Sequence, residues 1–163
     1  MLYFDHSATT PIHPDVLAKM QSVSQDHFGN PSSIHSSGRK SRAILESARR
    51  TIAESIHAES SEIVFTGSGT EANNVVLWSM AQGEKRHVIT SMVEHPAVLK
   101  VLRKLEPFGV TFTALSVDSY GLVDPKELKK AIQPDTGLIS IMMVNNEVGT
   151  INPMASLVRM AQS

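Results

Sequence analysis

Four short apolar runs, "EIVF", "HVITS", "VTFTALSV" and "GLISIMMV", are separated by stretches with helical spacing, and this alternation limits the possible folds more than any other feature. Strand and helix in strict turn read as an α/β domain with a largely parallel sheet flanked by helices. The stretch "LISIMMV" is apolar throughout rather than alternating, which predicts a strand buried on both faces. Ligands of such sheets sit at the carboxyl ends of the strands. That rule singles out "TGSGTE" after the first run, "SMVEH" after the second and "NNEVGT" after the last.

Upstream, Pro14–Asp26 predicts a helix with proline in its first turn and apolar residues at Val16, Leu17 and Met20. Arg42–His57 predicts a long amphipathic helix whose stripe runs through Ile44, Leu45, Ala48, Ile52, Ala53 and Ile56. Later in the chain, Asp124 as N-cap, Pro125 at the first position and Glu127 at the third resemble a capping box.

Each polar cluster supports a chemical and a plain reading. Gly67 and Gly69 allow a tight turn, and the helix that Thr70 opens begins with unpaired N–H groups, a setting suited to phosphate. A glycine-assisted corner with Thr70 as a simple cap fits as well, with Glu71 a first-turn acid facing solvent. G-x-G-x-x-A is satisfied by Gly67, Gly69 and Ala72, with Glu94 near the end of the next strand, but a single match to a dinucleotide fingerprint is weak. No lysine follows the turn, so it is not a P-loop. His95, just before Pro96, can stack on a flat ligand or move protons. Asn145 and Asn146 can donate to a ligand oxygen or build an Asx turn before Gly149.

Composition removes several classes. Fifteen Lys and Arg against sixteen Asp and Glu give a formal charge of -1, which offers no electrostatic case for nucleic acid or an anionic membrane. The 163 residues contain no cysteine, which excludes a disulfide framework, a thiolate metal site and a cysteine nucleophile within them. The seven histidines lack metal-ligand spacing, so no metal is expected. The N-terminus lacks the pattern of a signal peptide and no apolar stretch reaches membrane-spanning length, which predicts a cytoplasmic protein.

Taken together and in order, "YFDHSATTP", "FGNPSSIH", "IVFTGSGTEANN", "TSMVEHPAVL", "VDSYGLVDPKEL" and "MMVNNEVGTINP" resemble the N-terminal part of a pyridoxal-phosphate-dependent cysteine desulfurase of the NifS/IscS type, in the class V aminotransferase family. The resemblance implies a fold-type-I PLP-dependent transferase, in which residues 1–14 are a leading segment (the small-domain strap of full-length relatives) and 15–163 are the N-terminal part of the PLP-binding large domain. It implies removal of sulfur from L-cysteine to give L-alanine and an enzyme persulfide, passed on to a sulfur-acceptor or scaffold protein for iron–sulfur cluster assembly or other sulfur transfer. Gly69 and Thr70 are then expected to bind the cofactor phosphate. His95 is expected to stack on the pyridine ring and transfer protons, and Asn146 to contact the cofactor's 3-oxygen.

The resemblance also implies what these residues lack. The family's Schiff-base lysine, the aspartate facing the pyridine nitrogen and the persulfide cysteine all match positions beyond Ser163. The expectation is a chain inactive alone, a fragment, a split-enzyme subunit or a degenerate product, whose partner is a homodimer mate or a complementary C-terminal half. A selenocysteine lyase or another class V enzyme, a non-catalytic half-subunit of a split enzyme, and a dinucleotide-binding domain are the alternatives.

Overall fold

The computed structural model describes residues 2–162, which divide into two compact units at the Phe65–Thr66 boundary.

The first unit holds α1 (Pro14–Asp26) and α2 (Ser36–Ser55), followed by a short 3-10 turn at Ser60–Glu62. Pro14 fixes the first turn of α1, and the Nδ1 of His13 accepts the Asp15 N–H at 3.3 Å as the cap. No residue of α1 is buried. Helix α2 begins upstream of the expected Arg42 because Gly38 packs directly on the preceding loop. A Cβ built on Gly38 would lie 2.4 Å from the Ser33 carbonyl oxygen. Ser41 ties the same turn down by donating to the His27 carbonyl at 2.8 Å. Of the predicted stripe only Ala53 is buried, while Ile52 and Ile56 remain exposed.

The run "EIVF" is a correction to the expected strand. Ile63–Phe65 is extended but pairs with no strand, and Val64 is 74% exposed. Arg49 holds this segment instead. Its guanidinium donates to the Ile63 carbonyl and to Glu46 and lies 4.9 Å from the centre of the Phe65 ring.

The second unit runs α3 (Gly69–Ser79), β1 (His87–Ser91), α4 (Pro96–Leu105), β2 (Thr111–Leu115), α5 (Pro125–Ala131), β3 (Thr136–Ser140) and α6 (Met154–Ala161). Its three strands are parallel in the order β2-β1-β3, the α/β arrangement that the sequence alternation predicts. Side chains alternate across β1, so its two apolar residues enter different cores. Val88, with Phe112 and Leu138 beside it, packs against Leu77 of α3, Met80 at its C-cap, and Val98, Leu102 and Leu105 of α4. Ile89, with Ile139 and Leu115, packs against Leu128 of α5 and Leu157 of α6. Both residues are fully buried, and burial of each stabilises the unit by roughly 1.5–3 kcal/mol.

The strand buried on both faces is therefore β1, not the "LISIMMV" run. All five residues of β1 are buried, whereas none of β3 is. Strand β3 also ends at Ser140. The Met142 N–H, which would extend the ladder, donates to the Glu94 side chain at 2.7 Å, and the chain then turns. The capping box expected at α5 is half formed. Asp124 accepts the Lys126 N–H at 2.8 Å, but the Glu127 carboxylate pairs with Lys130 at 2.7 Å rather than reaching back to the cap.

Candidate functional site

The turn between Thr66 and Glu71 is built by its own side chains. Ser68, not Thr70, is the N-cap of α3, and its hydroxyl accepts the Glu71 N–H at 3.2 Å. Glu71 does not face solvent unbound. Its Oε2 accepts the Gly67 N–H at 2.6 Å, while Thr66 donates its hydroxyl to the Ser68 carbonyl at 3.1 Å. The next three backbone N–H groups, of Ser68, Gly69 and Thr70, have no acceptor among the described residues, nor does the Thr70 hydroxyl. Three successive free amides at the positive end of a helix form a concave donor set for an oxyanion. Nothing lies within 4 Å of a Cβ built on Gly69, so the side-chain side of that residue is open.

His95 follows the two-residue turn after β1, and it is positioned by the start of α4. Its Nδ1 accepts the Ala97 N–H at 3.0 Å, with Pro96 at the first helical position. His13 and Pro14 begin α1 in the same way, with φ of -57° at both histidines. Because Nδ1 is taken by the cap, the nitrogen of His95 left to meet a ligand is Nε2.

Thr70 and His95 line one cavity of about 470 Å³. Asn74 and Trp78 continue the α3 wall, and Lys100 and Lys104 the α4 wall. Asn146 is not part of this lining; it is exposed and its amide donates to Glu147 at 3.2 Å. Its neighbour Asn145 is buried and structural. The Asn145 Oδ1 accepts the N–H groups of Glu147 and Val148 at 2.9 and 3.1 Å, the Asx turn that the sequence offered as the plain reading. Gly149, at φ 75°, completes that turn in the left-handed region.

Glu94 is likewise committed to the framework, which removes it as the ribose-binding acid of a dinucleotide site. It is buried, and its Oε1 accepts from the Ser91 hydroxyl at 2.9 Å as well as from Met142. One contributor was set aside by sequence reasoning. Glu71 closes the turn on Gly67 rather than facing solvent, and the pattern S-x-x-E at 68–71 was the available signal.

The aminotransferase class-V profile matches residues 2–163. The chain belongs to the aminotransferase class-V family. Among class-V proteins, it is 48% identical to the cysteine desulfurase IscS of Dictyoglomus turgidum over 99% of its own length and 42% of the relative's. It is 45% identical to a putative cysteine desulfurase IscS of Bacillus subtilis, covering 96% of this chain and 42% of that protein. Among solved structures, a NifS-like protein superposes with a TM-score of 0.94 at 38% identity, over 99% of this chain and 45% of the other. A structure described as SspA in complex with cysteine gives a TM-score of 0.93 at 39% identity, over 98% and 47%. The chain thus spans less than half the length of these class-V relatives.

Proposed function

We propose that this chain supplies the phosphate-binding and ring-stacking side of a PLP-dependent cysteine desulfurase. The observation that carries the reading is the cavity shared by Thr70 and His95, next to three free amides. Class V enzymes in general use PLP, and the donor set fits it. Amides of Ser68, Gly69 and Thr70 suit a dianionic phosphate, and a flat imidazole on the neighbouring helix suits a pyridine ring.

In this reading Gly69 and Thr70 hold the phosphate, which fixes one end of the cofactor. His95 covers a ring face and exchanges protons with the reacting amino acid through Nε2. Asn146 swings from Glu147 to the 3-oxygen. Bound PLP withdraws electrons from the substrate's Cα and so allows the carbon–sulfur bond of L-cysteine to break, giving L-alanine. The leaving sulfur needs a thiolate acceptor, and the 163 residues contain no cysteine. That thiolate, with the lysine that anchors the cofactor, comes from a polypeptide segment outside these 163 residues, such as a complementary C-terminal half. Residues 15–163 then act as part of a PLP-binding large domain with 1–14 as a leading segment, in a cytoplasmic protein that hands sulfur to an acceptor or scaffold protein.

The test is titration of the chain with PLP, followed by absorbance and by fluorescence. Saturable binding that competes with inorganic phosphate and weakens in Thr70→Ala is the expected result. Binding unaffected by phosphate would overturn the reading.

A further inference from the structure

We infer that Glu71 is a positioning residue for the anion-binding turn, a role that rests on the phosphate reading above and adds to it a residue that does not touch the cofactor. The turn has four successive amides, at Gly67, Ser68, Gly69 and Thr70. Glu71 takes the first through the 2.6 Å bond from the Gly67 N–H, and the other three are left without acceptors. Its own N–H is held by the Ser68 hydroxyl at 3.2 Å. The side chain of residue 71 therefore closes a loop over residues 67–70 from one end while its backbone closes it from the other.

This clamp has a specific consequence. Gly67 and Gly69 both lack a side chain, so without an anchor the segment samples many backbone states. Fixing the first amide orders the next three before any anion arrives, which lowers the entropy cost of binding. The clamp also carries a cost of its own, since a carboxylate beside an oxyanion repels it. Both sides of this balance lie on one residue, and substitution separates them. Glu71→Gln retains an acceptor oxygen and removes the charge; Glu71→Ala removes both.

The experiment measures PLP and inorganic phosphate affinity for the chain and the two variants, with the Gly67 amide proton followed by NMR. Glu71→Gln should bind both probes at least as tightly as the parent. Glu71→Ala should bind both about tenfold more weakly than Glu71→Gln, which corresponds to about 1.4 kcal/mol. The Gly67 amide resonance should move upfield in Glu71→Ala and keep its hydrogen-bonded position in Glu71→Gln. Circular dichroism of each variant establishes that α3 remains folded. Equal affinities in the two variants would overturn the positioning role. A parent chain that binds neither probe, with the Gly67 resonance still dependent on residue 71, would sink the cofactor reading and reduce Glu71 to a helix cap.

Discussion

The carboxylate of Glu94 accepts the backbone N–H of Met142 at 2.7 Å, so the acid that follows β1 fixes where the chain leaves β3. The same oxygen accepts from Ser91, and the bond links residues 48 positions apart in sequence. Glu94→Ala leaves a Met142 N–H without its partner in a partly buried setting, at a cost of about 1–3 kcal/mol. Glu94→Gln keeps an acceptor and should lose less. Urea denaturation of the two variants against the parent measures both; equal losses would show that the charge rather than the acceptor matters.

His87 is 2% exposed and is held between two threonines. Its Nδ1 lies 2.8 Å from the Thr136 hydroxyl and its Nε2 2.9 Å from that of Thr113, one on each neighbouring strand. His87→Leu leaves the Thr113 hydroxyl without a partner, while that of Thr136 still accepts the Gln133 N–H at 2.8 Å, and should cost about 1–3 kcal/mol. Adding Thr113→Val should recover part of that loss, because the unpaired group is then gone. A double-mutant cycle by chemical denaturation checks it; strict additivity would argue against the contact.

The shared cap geometry of His13 and His95 allows structure and ligand binding to be separated. His95→Ala should lose about 0.5–2 kcal/mol as a cap, and His95→Asn, with a good capping side chain, much less. Both should weaken PLP binding alike, since neither has a ring to stack. His13→Ala should leave PLP binding unchanged while loosening α1. Thermal melts and PLP titrations of the three variants provide the comparison, and full PLP affinity in His95→Asn would show that the ring does not take part.

Gly137 in β3 is a site of close approach. A Cβ there would lie 2.6 Å from the Met80 terminal methyl and 2.8 Å from the Lys85 carbonyl oxygen. Gly137→Ala should destabilise the unit by about 1–3 kcal/mol through overpacking. Met80→Ala in the same background should not restore it fully, because the backbone contact remains. Equilibrium unfolding of the single and double variants decides the matter.

Exposed apolar side chains on the first unit predict self-association. Val16 and Met20 on α1 are 51% and 52% exposed, and Phe28 just beyond it is 82% exposed. Such surface favours contact between molecules. Leu17→Glu combined with Met20→Lys should lower the sedimentation coefficient at high protein concentration. No dependence of the parent's sedimentation on concentration would contradict the expectation.

The α/β alternation and most helix starts were legible because caps and prolines act locally. His95–Pro96 and Asp124–Pro125 each begin a helix where the sequence places one. Burial was not legible in the same way. "HVITS" carries a histidine, a threonine and a serine yet is the most buried strand, because it lies between the other two. The more apolar "GLIS" run lies at an edge, and only strand order, a non-local property, separates the cases. The turn at residues 66–71 was picked out by its glycines, while Glu71 was set aside as a first-turn acid although it stands in an S-x-x-E pattern, because that pattern alone does not show that its carboxylate reaches back four residues to Gly67.

The strand order β2-β1-β3 also sets a schedule for synthesis. The strand on which both others depend is the first to be made, so β1 leaves the ribosome with no partner for either of its ladders. At about 5–20 residues per second, the chain needs on the order of seconds before β2 and then β3 follow. During that interval Val88 has α3 and the nascent α4 for cover, while α5 and α6, which cover Ile89, are still to be made. A chaperone that meets this protein during translation would find Ile89 of the "HVITS" stretch uncovered until α5 and α6 follow.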